Sequence, residues 1–224
     1  MSAIWALVPV KSLQHSKSRL GDVLEPEECA ELSRAMLIDV LAALNAATVL
    51  DQIAILTNDD LVKKLAVQAG CRVIDDQYPG GLSAGLNAAA SQIKQAGAKT
   101  LLIVPGDVPT INGADIDALL SKHSDGVSVC RAARDGGTNA LVCSPPHALP
   151  FQFGANSAQR HLETAEANDL RTQSLSWRAF SQDIDTPDDL LWLIQQDFAR
   201  NSIQFLKQLN IVARIDQKLT GASA

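Results

Sequence analysis

The chain has 224 residues and a formal net charge of −6, with a sequence pI near 5.1. That length supports one substantial core, and an acidic balance lacks the basic footprint that binding a nucleic-acid polymer requires. Four cysteines, Cys29, Cys71, Cys130 and Cys143, form neither a CxxC pair nor a metal-ligand spacing, which fits a reduced, cytoplasmic setting.

Met1 to Val10 is largely apolar, carries no basic residue before the run and ends at Lys11. It reads as a first buried strand, too short for a signal peptide or a membrane span. The polar loop Lys11 to Gly21 follows, and Lys11, Lys17 and Arg19 stand where an α/β protein meets the phosphates of a nucleotide. Three cations there would offset a triphosphate, although a solvated charged loop has the same composition. Neither GxGxxG nor GxxxxGK[ST] is present in this loop, so dehydrogenase and P-loop readings lose their main support.

A helix is predicted from Pro26, with Glu25, Glu27 and Glu28 at its positive end and Leu37, Val40, Leu41 and Leu44 on one buried face. A strand over Gln52 to Leu56 leads through Thr57-Asn58-Asp59 into a helix over Leu61 to Ala69, and a short strand spans Cys71 to Ile74. Pro79 to Asn87 reads as a flexible glycine-rich loop entering a helix over Leu86 to Gln95. Gly81, Leu82 and Asn87 are its candidate contacts to a base or ribose, the alternative being a plain loop with a serine cap. The apolar run Leu101 to Val104 then reads as a central strand, which places Asp107 of PGDVP at the carboxyl edge of the sheet. The alternation so far predicts a single-domain α/β Rossmann-like fold, a mixed and mostly parallel sheet flanked by helices.

Gly126 to Arg131 and Ala140 to Cys143 read as strands separated by a turn-rich stretch over Arg134 to Asn139, suggesting an antiparallel extension. Phe153-Gly154-Ala155-Asn156-Ser157 precedes a helix through Ala158 to Ala167, and exposed amides and hydroxyls at such a helix start suit a phosphate or carboxylate. Ser157 also reads as an ordinary N-cap, and His161 lies one turn further on. Leu175 to Phe180 is strand-like and leads to DIDTPDDL. There Thr186, Pro187 and Asp189 are explained as cap, first-turn proline and capping-box acid, which leaves Asp183 and Asp185 to point to one side of an extended segment. Asp107, Asp183 and Asp185 together are candidates to hold Mg²⁺, a hard cation that takes carboxylates and substrate phosphates. Beyond Gln196, the residues Phe198, Ile203, Phe205, Leu206, Leu209 and Ile215 form an amphipathic tail that covers the sheet or a partner subunit in a homodimer.

VPVKSL, SKSRL, GLSAGLNAA, PGDVP, GGTNALV, FGANSAQRH and DIDTPDDL, in that order, resemble the CofC/FbiD family of guanylyltransferases of coenzyme F420 biosynthesis, within the wider MobA-like (GT-A-like) nucleotidyltransferase fold. A nucleotidyltransferase domain is expected over residues 1–196 and a C-terminal extension over 197–224, the tail after Ile194 being less typical of the family's core. The resemblance implies transfer of GMP from GTP to a small phosphorylated acid, namely phosphoenolpyruvate, 2-phospho-L-lactate or 3-phospho-D-glycerate, with release of pyrophosphate. Asp107, Asp183 and Asp185 then correspond to Mg²⁺-binding acids, Thr138, Gly154 and Ser157 to contacts with the acid's phosphate, and the loop of Lys11, Lys17 and Arg19 faces GTP. A molybdopterin or sugar-phosphate nucleotidyltransferase would use the same sheet, and a GTP-binding regulator would keep the pocket without the chemistry.

Overall fold

Ala6, Leu7 and Val8 have no exposed surface, and so continuous an apolar run marks a strand covered on both faces. The computed structural model describes residues 3–14, 16–77 and 80–221, with side chains described as far as Lys218; Met1, Ser2, His15 and Pro79 of the segments above lie outside the described residues. Strand β1 (Ile4–Pro9) pairs in parallel with β2 (Gln52–Thr57) and β4 (Thr100–Ile103), and β2 with β3 (Arg72–Asp75). β6 (Thr138–Ser144) runs antiparallel to both β4 and β5 (Gly126–Arg131), while β7 (Thr172–Leu175) is parallel to β5. The seven-stranded order is β3-β2-β1-β4-β6-β5-β7. The carboxyl ends of all strands but β6, and the amino end of β6, therefore share one edge.

Helices α1 (Pro26–Ala46), α2 (Asp60–Gln68) and α4 (Gly113–Lys122) cover one face of the sheet, and α3 (Gly81–Gln95) and α5 (Ser157–Glu166) cover the other. This is the layered α/β arrangement expected when strand and helix patterns alternate. Helix α1 starts with a capping box in which the Glu25 N–H donates to Oε2 of Glu28 at 3.0 Å, with Pro26 in its first turn. It is apolar on two sides. Leu37, Val40, Leu41 and Leu44 face the sheet, whereas Leu32 and Met36 belong to a separate cluster with the C-terminal helices.

Those helices are α7 (Pro187–Ile194), α8 (Asn201–Gln208) and α9 (Ile211–Gly221). The tail residues Ile203, Leu206 and Ile215, joined by Ile211, are buried against Leu20, Leu32 and Met36, with Phe205 and Leu209 packed beside them, so the amphipathic stripe packs on the outer side of α1 within its own chain, except for Phe198, which stays exposed. Asp39, buried in α1, accepts from the N–H and side-chain amide of Asn201 and from the N–H and hydroxyl of Ser202, at 2.6–2.9 Å, and so caps α8 from another helix. Among the described residues no helix is long and apolar enough to cross a membrane.

Two expectations need correction. The glycine-rich segment is helical from Gly81 onward, entered by a positive φ of 81° at Gly81. A Cβ at Gly85 would lie 2.6 Å from Oδ1 of Asp76, so glycine there lets α3 close down on the chain leaving β3. The strand read over Leu175 to Phe180 ends at Leu175 and is followed by the one-turn helix α6 (Arg178–Ser181). Trp177 and Phe180 pack on the same core cluster three residues apart, a helical spacing that the apolar run disguised. Helix α4 was legible and not read: Asn112 and Asp115 form its capping box, and Ile116, Leu119 and Leu120 are its buried face.

Candidate active site

The turn leaving β4 carries Asp107, whose backbone carbonyl accepts from the N–H of Ile184 at 3.1 Å. That bond aligns the extended segment Asp183-Ile184-Asp185 beside the turn. Ile184 is fully buried, so alternation along the segment leaves Asp183 and Asp185 on the opposite, open side.

Two cations stand among these acids. Nζ of Lys17 donates to Oδ2 of Asp107 at 2.6 Å and to Oδ1 of Asp185 at 2.7 Å, with its side chain only 7 % exposed. Lys17 adopts left-handed backbone (φ 59°, ψ 38°) just before the 3₁₀ turn Ser18–Leu20, a conformation costing roughly 1–2 kcal/mol for an L-residue. Arg134 reaches in from the β5–β6 connection. Its Nη2 donates to Oδ2 of Asp183 at 2.9 Å and to Oδ2 of Asp185 at 2.6 Å, while Nη1 donates to Oδ2 of Asp189 at 3.0 Å. Asp189 also accepts from the N–H groups of Asp185 and Thr186, so the capping acid of α7 doubles as the support for Arg134.

The electrostatics of the acids differ accordingly. Burial alone would lower the Lys17 ammonium, but Asp107 and Asp185 outweigh it and raise its pKa. For Asp185 burial pushes upward, and Lys17 and Arg134 together bring the carboxyl below its ordinary value. Asp183 is raised, first by burial and then by the negative charge of Asp107, with Arg134 compensating only in part. The cluster is short of positive charge between Asp107 and Asp183.

Asp107, Asp183 and Asp185 are thus brought together, but Lys17 lies among them rather than only facing a nucleotide, and the three carboxylates converge on two side-chain cations. Among the described residues no group of three or more Asp, Glu, His or Cys side chains is arranged to hold a metal ion by itself. The donor chemistry still fits Mg²⁺, which needs one or two carboxylates when substrate phosphates and water supply the remainder. Arg19 lies at the rim, 3.7 Å from Oδ2 of Asp185 and 68 % exposed, and Lys11 is exposed past the end of β1. Arg134 escaped the sequence reading, although an arginine inside RAARDGGTN next to a strand edge was a usable signal.

The neighbouring subsite is built at the start of β6. Oγ1 of Thr138 is 2.8 Å from Oγ of Ser157 and 3.1 Å from Nδ1 of His161, and Nε2 of His161 accepts from the N–H of Gln152 at 3.0 Å. Burial pushes the His161 imidazole down to about 4. Ser157 is the first residue of α5 rather than its cap: Asn156 holds the cap position in left-handed backbone, and its side chain makes no capping bond. Gly154 has φ 126°, a conformation only glycine takes readily. Asn139, left unpaired where the β5–β6 register shifts, directs Nδ2 toward Oδ1 of Asp183 at 3.4 Å. One strand start thus serves both halves of the site.

The amide of Asn87, read as a candidate nucleotide contact, is engaged within the protein. Its Oδ1 accepts from the Phe151 N–H at 2.9 Å and pairs with Nε2 of His147 at 3.1 Å, and its Nδ2 donates to the carbonyls of Ser83 and Phe151. Those four bonds use the whole amide, so Asn87 ties α3 to the 147–153 segment. Leu82 packs against the core cluster under α3, and Gly81 opens the helix. All four cysteines are free and buried. Burial raises their thiols, to about 11 for Cys71 and about 12 for Cys130, which leaves them poor nucleophiles.

The family profile described as "Guanylyl transferase CofC like" matches residues 4–222. A phosphoenolpyruvate guanylyltransferase of Sphaerobacter thermophilus is 38 % identical over 187 residues, covering 83 % of this chain and 89 % of that protein. A 3-phospho-D-glycerate guanylyltransferase of Phenylobacterium zucineum is 33 % identical over 211 residues, covering 91 % of this chain and 95 % of that one. Among solved structures, a Desulfovibrio desulfuricans G20 protein provisionally described as a nucleotide-diphospho-sugar transferase superposes with a TM-score of 0.79 at 20 % identity, covering 97 % of this chain and 99 % of its own, which speaks for the fold alone. With the family profile matching nearly its whole length and a named relative 38 % identical over 83 % of it, the chain belongs to the CofC-like guanylyl transferase family.

Proposed function

We propose that the protein transfers GMP from GTP to a small phosphorylated acid and releases pyrophosphate, within coenzyme F420 biosynthesis. The observation that carries this reading is the acid cluster of Asp107, Asp183 and Asp185 lying beside the Thr138–Ser157 subsite at one sheet edge. One half suits a metal and a triphosphate, the other a second phosphate. Family membership supports the nucleotide and the reaction type.

A phosphate oxygen of the acid attacks the α-phosphorus of GTP. The bond from that phosphorus to the bridging oxygen breaks, and the electron pair leaves with pyrophosphate. No side-chain nucleophile is needed, because the attacking oxygen is already anionic. Asp107 and Asp183 are the pair we assign to Mg²⁺, since Asp185 is neutralised by two cations, Lys17 and Arg134, whereas Asp107 and Asp183 each meet only one. Bound there, Mg²⁺ would neutralise charge on the phosphoryl oxygens. Lys17 and Arg19 neutralise the departing pyrophosphate, and Lys11 adds to the positive rim that draws the triphosphate in. Arg134 holds Asp183 in place. Thr138 and the Gly154 turn receive the phosphate of the acid, with the sealed Ser157 backing Thr138 rather than touching the ligand, and this fixes the attacking oxygen.

The acceptor is not decided by similarity, since relatives at 38 % and 33 % identity are named for different acids. Pyrophosphate release should therefore be followed with GTP and, in turn, phosphoenolpyruvate, 2-phospho-L-lactate and 3-phospho-D-glycerate, with the product mass measured. One acid should give a guanosine diphosphate ester. Tight GTP binding with no pyrophosphate from any acid would instead mark a GTP-binding regulator, and turnover only with CTP or a pterin would mark a different transferase. Asp107→Asn should abolish release while circular dichroism stays that of the wild type; undiminished activity in Mg²⁺ overturns the assignment.

A further inference from the structure

We infer that His161 is a positioning residue that sets Thr138 as a hydrogen-bond donor to the phosphate of the acid substrate. The inference rests on the phosphate subsite proposed above and adds a residue that does not touch the ligand. A backbone N–H can only donate, so the Gln152 N–H, 3.0 Å from Nε2 of His161, makes that ring nitrogen an acceptor. The proton of the neutral imidazole is then on Nδ1, which stands 3.1 Å from Oγ1 of Thr138 and donates to it.

Ser157 competes for the same oxygen at 2.8 Å. Ser157 and His161 are sealed, at 0 % and 1 % exposure, whereas Thr138 keeps 7 %. The Ser157 hydroxyl proton therefore turns inward to Thr138, and both lone pairs of Oγ1 are filled by Ser157 and His161. Only the Thr138 proton remains, and it points outward. A hydroxyl prepared in this way cannot accept; it suits a ligand made entirely of acceptors, as a phosphate dianion is. Phe151 and Phe153 hold the ring edge-on, with centroid distances of 6.4 and 5.1 Å. Burial keeps it neutral near pH 7, with the imidazole down to about 4, so Nε2 stays free to accept.

The test is a comparison of KM values for GTP and for whichever of the three acids the wild type turns over, in Thr138→Val, His161→Phe, His161→Gln and the Thr138→Val/His161→Phe double variant. His161→Phe should raise KM for the acid about tenfold, the size of one charge-assisted hydrogen bond, and leave KM for GTP within about twofold. His161→Gln, whose amide offers an acceptor and a donor, should recover most of the loss. In the Thr138→Val background the phenylalanine should add nothing. Additive effects, or an equal rise in both KM values, overturn the inference; an unchanged acid KM in Thr138→Val alone sinks the subsite reading instead. Independently of any variant folding, ¹⁵N NMR of the wild type at pH 7 should show His161 as the Nδ1–H tautomer, and a proton on Nε2 refutes the mechanism.

Discussion

Lys17 and Asp107 are 90 residues apart in sequence, yet their Nζ and Oδ2 atoms lie 2.6 Å apart at the carboxyl edge of the sheet. The same ammonium reaches Asp185, 168 residues away, at 2.7 Å. A loop after the first strand, a turn after the fourth and a segment after the last are thus tied by one charge. Replacing it with the similar-sized Lys17→Met leaves both carboxylates without that cation, and breaking a pair whose lysine is buried and whose acids are partly exposed should cost about 3 kcal/mol of stability. Turnover should fall at least about a hundredfold, because the same group is assigned to the leaving pyrophosphate. Mg²⁺ should raise the Tm of the variant more than that of the wild type, by replacing the lost charge; equal Mg²⁺ shifts would mean that the ion does not share the Lys17 acids.

Arg134 is a fork whose two terminal nitrogens serve three carboxylates. A point charge on a flexible stem cannot reproduce that planar geometry. Arg134→Lys should therefore lower kcat by roughly ten- to a hundredfold, the effect of losing one or two hydrogen bonds to charged partners. Differential scanning fluorimetry should show little change in Tm, and a lysine variant with wild-type kcat would remove Arg134 from the site.

Asp39 acts far from the chemistry. Its carboxylate takes four hydrogen bonds from Asn201 and Ser202 while 1 % exposed. Asp39→Ala strands those donors at the start of α8 and should destabilise the protein by about 2–3 kcal/mol. The urea midpoint reports the loss, and kcat measured well below the transition should be retained.

His161 links stability to pH. Its pKa falls from an ordinary 6.5 to about 4 on folding, so between these values the unfolded chain binds the extra proton. Stability is fully present above pH 6.5 and is lost as pH falls toward 4, by about 3 kcal/mol from this group. His123 and His147 are shifted the same way by burial and add to the trend. His161→Gln should flatten the fall in urea-derived stability across that window; an unchanged slope would show that the imidazole is not buried neutral.

The layered α/β class, the parallel first half and the three acids were legible in residue order, because each depends on short-range pattern. A wholly apolar run such as Leu101 to Val104, set between helical patterns, reads as a doubly covered strand, and an acid just after it then emerges at that strand's tip. Lys17 was legible by the same rule of position. Its pairing with Asp107 and Asp185 was not, since spacing along a chain carries no distance across a sheet. Arg134 and Asn87 show this in opposite directions. Arg134 looked like part of a turn and becomes the clamp of the acid cluster only because β6 runs antiparallel beside β4. Asn87 looked available to a nucleotide and is consumed because the chain after β6 folds back over α3. The amphipathic tail was plain in its periodicity, but which surface it covers was decided by the second apolar face of α1 and by one buried carboxylate, Asp39, that caps it. Local pattern determines what an element is; the partners that satisfy its charges and its apolar face exist only once the chain has closed on itself.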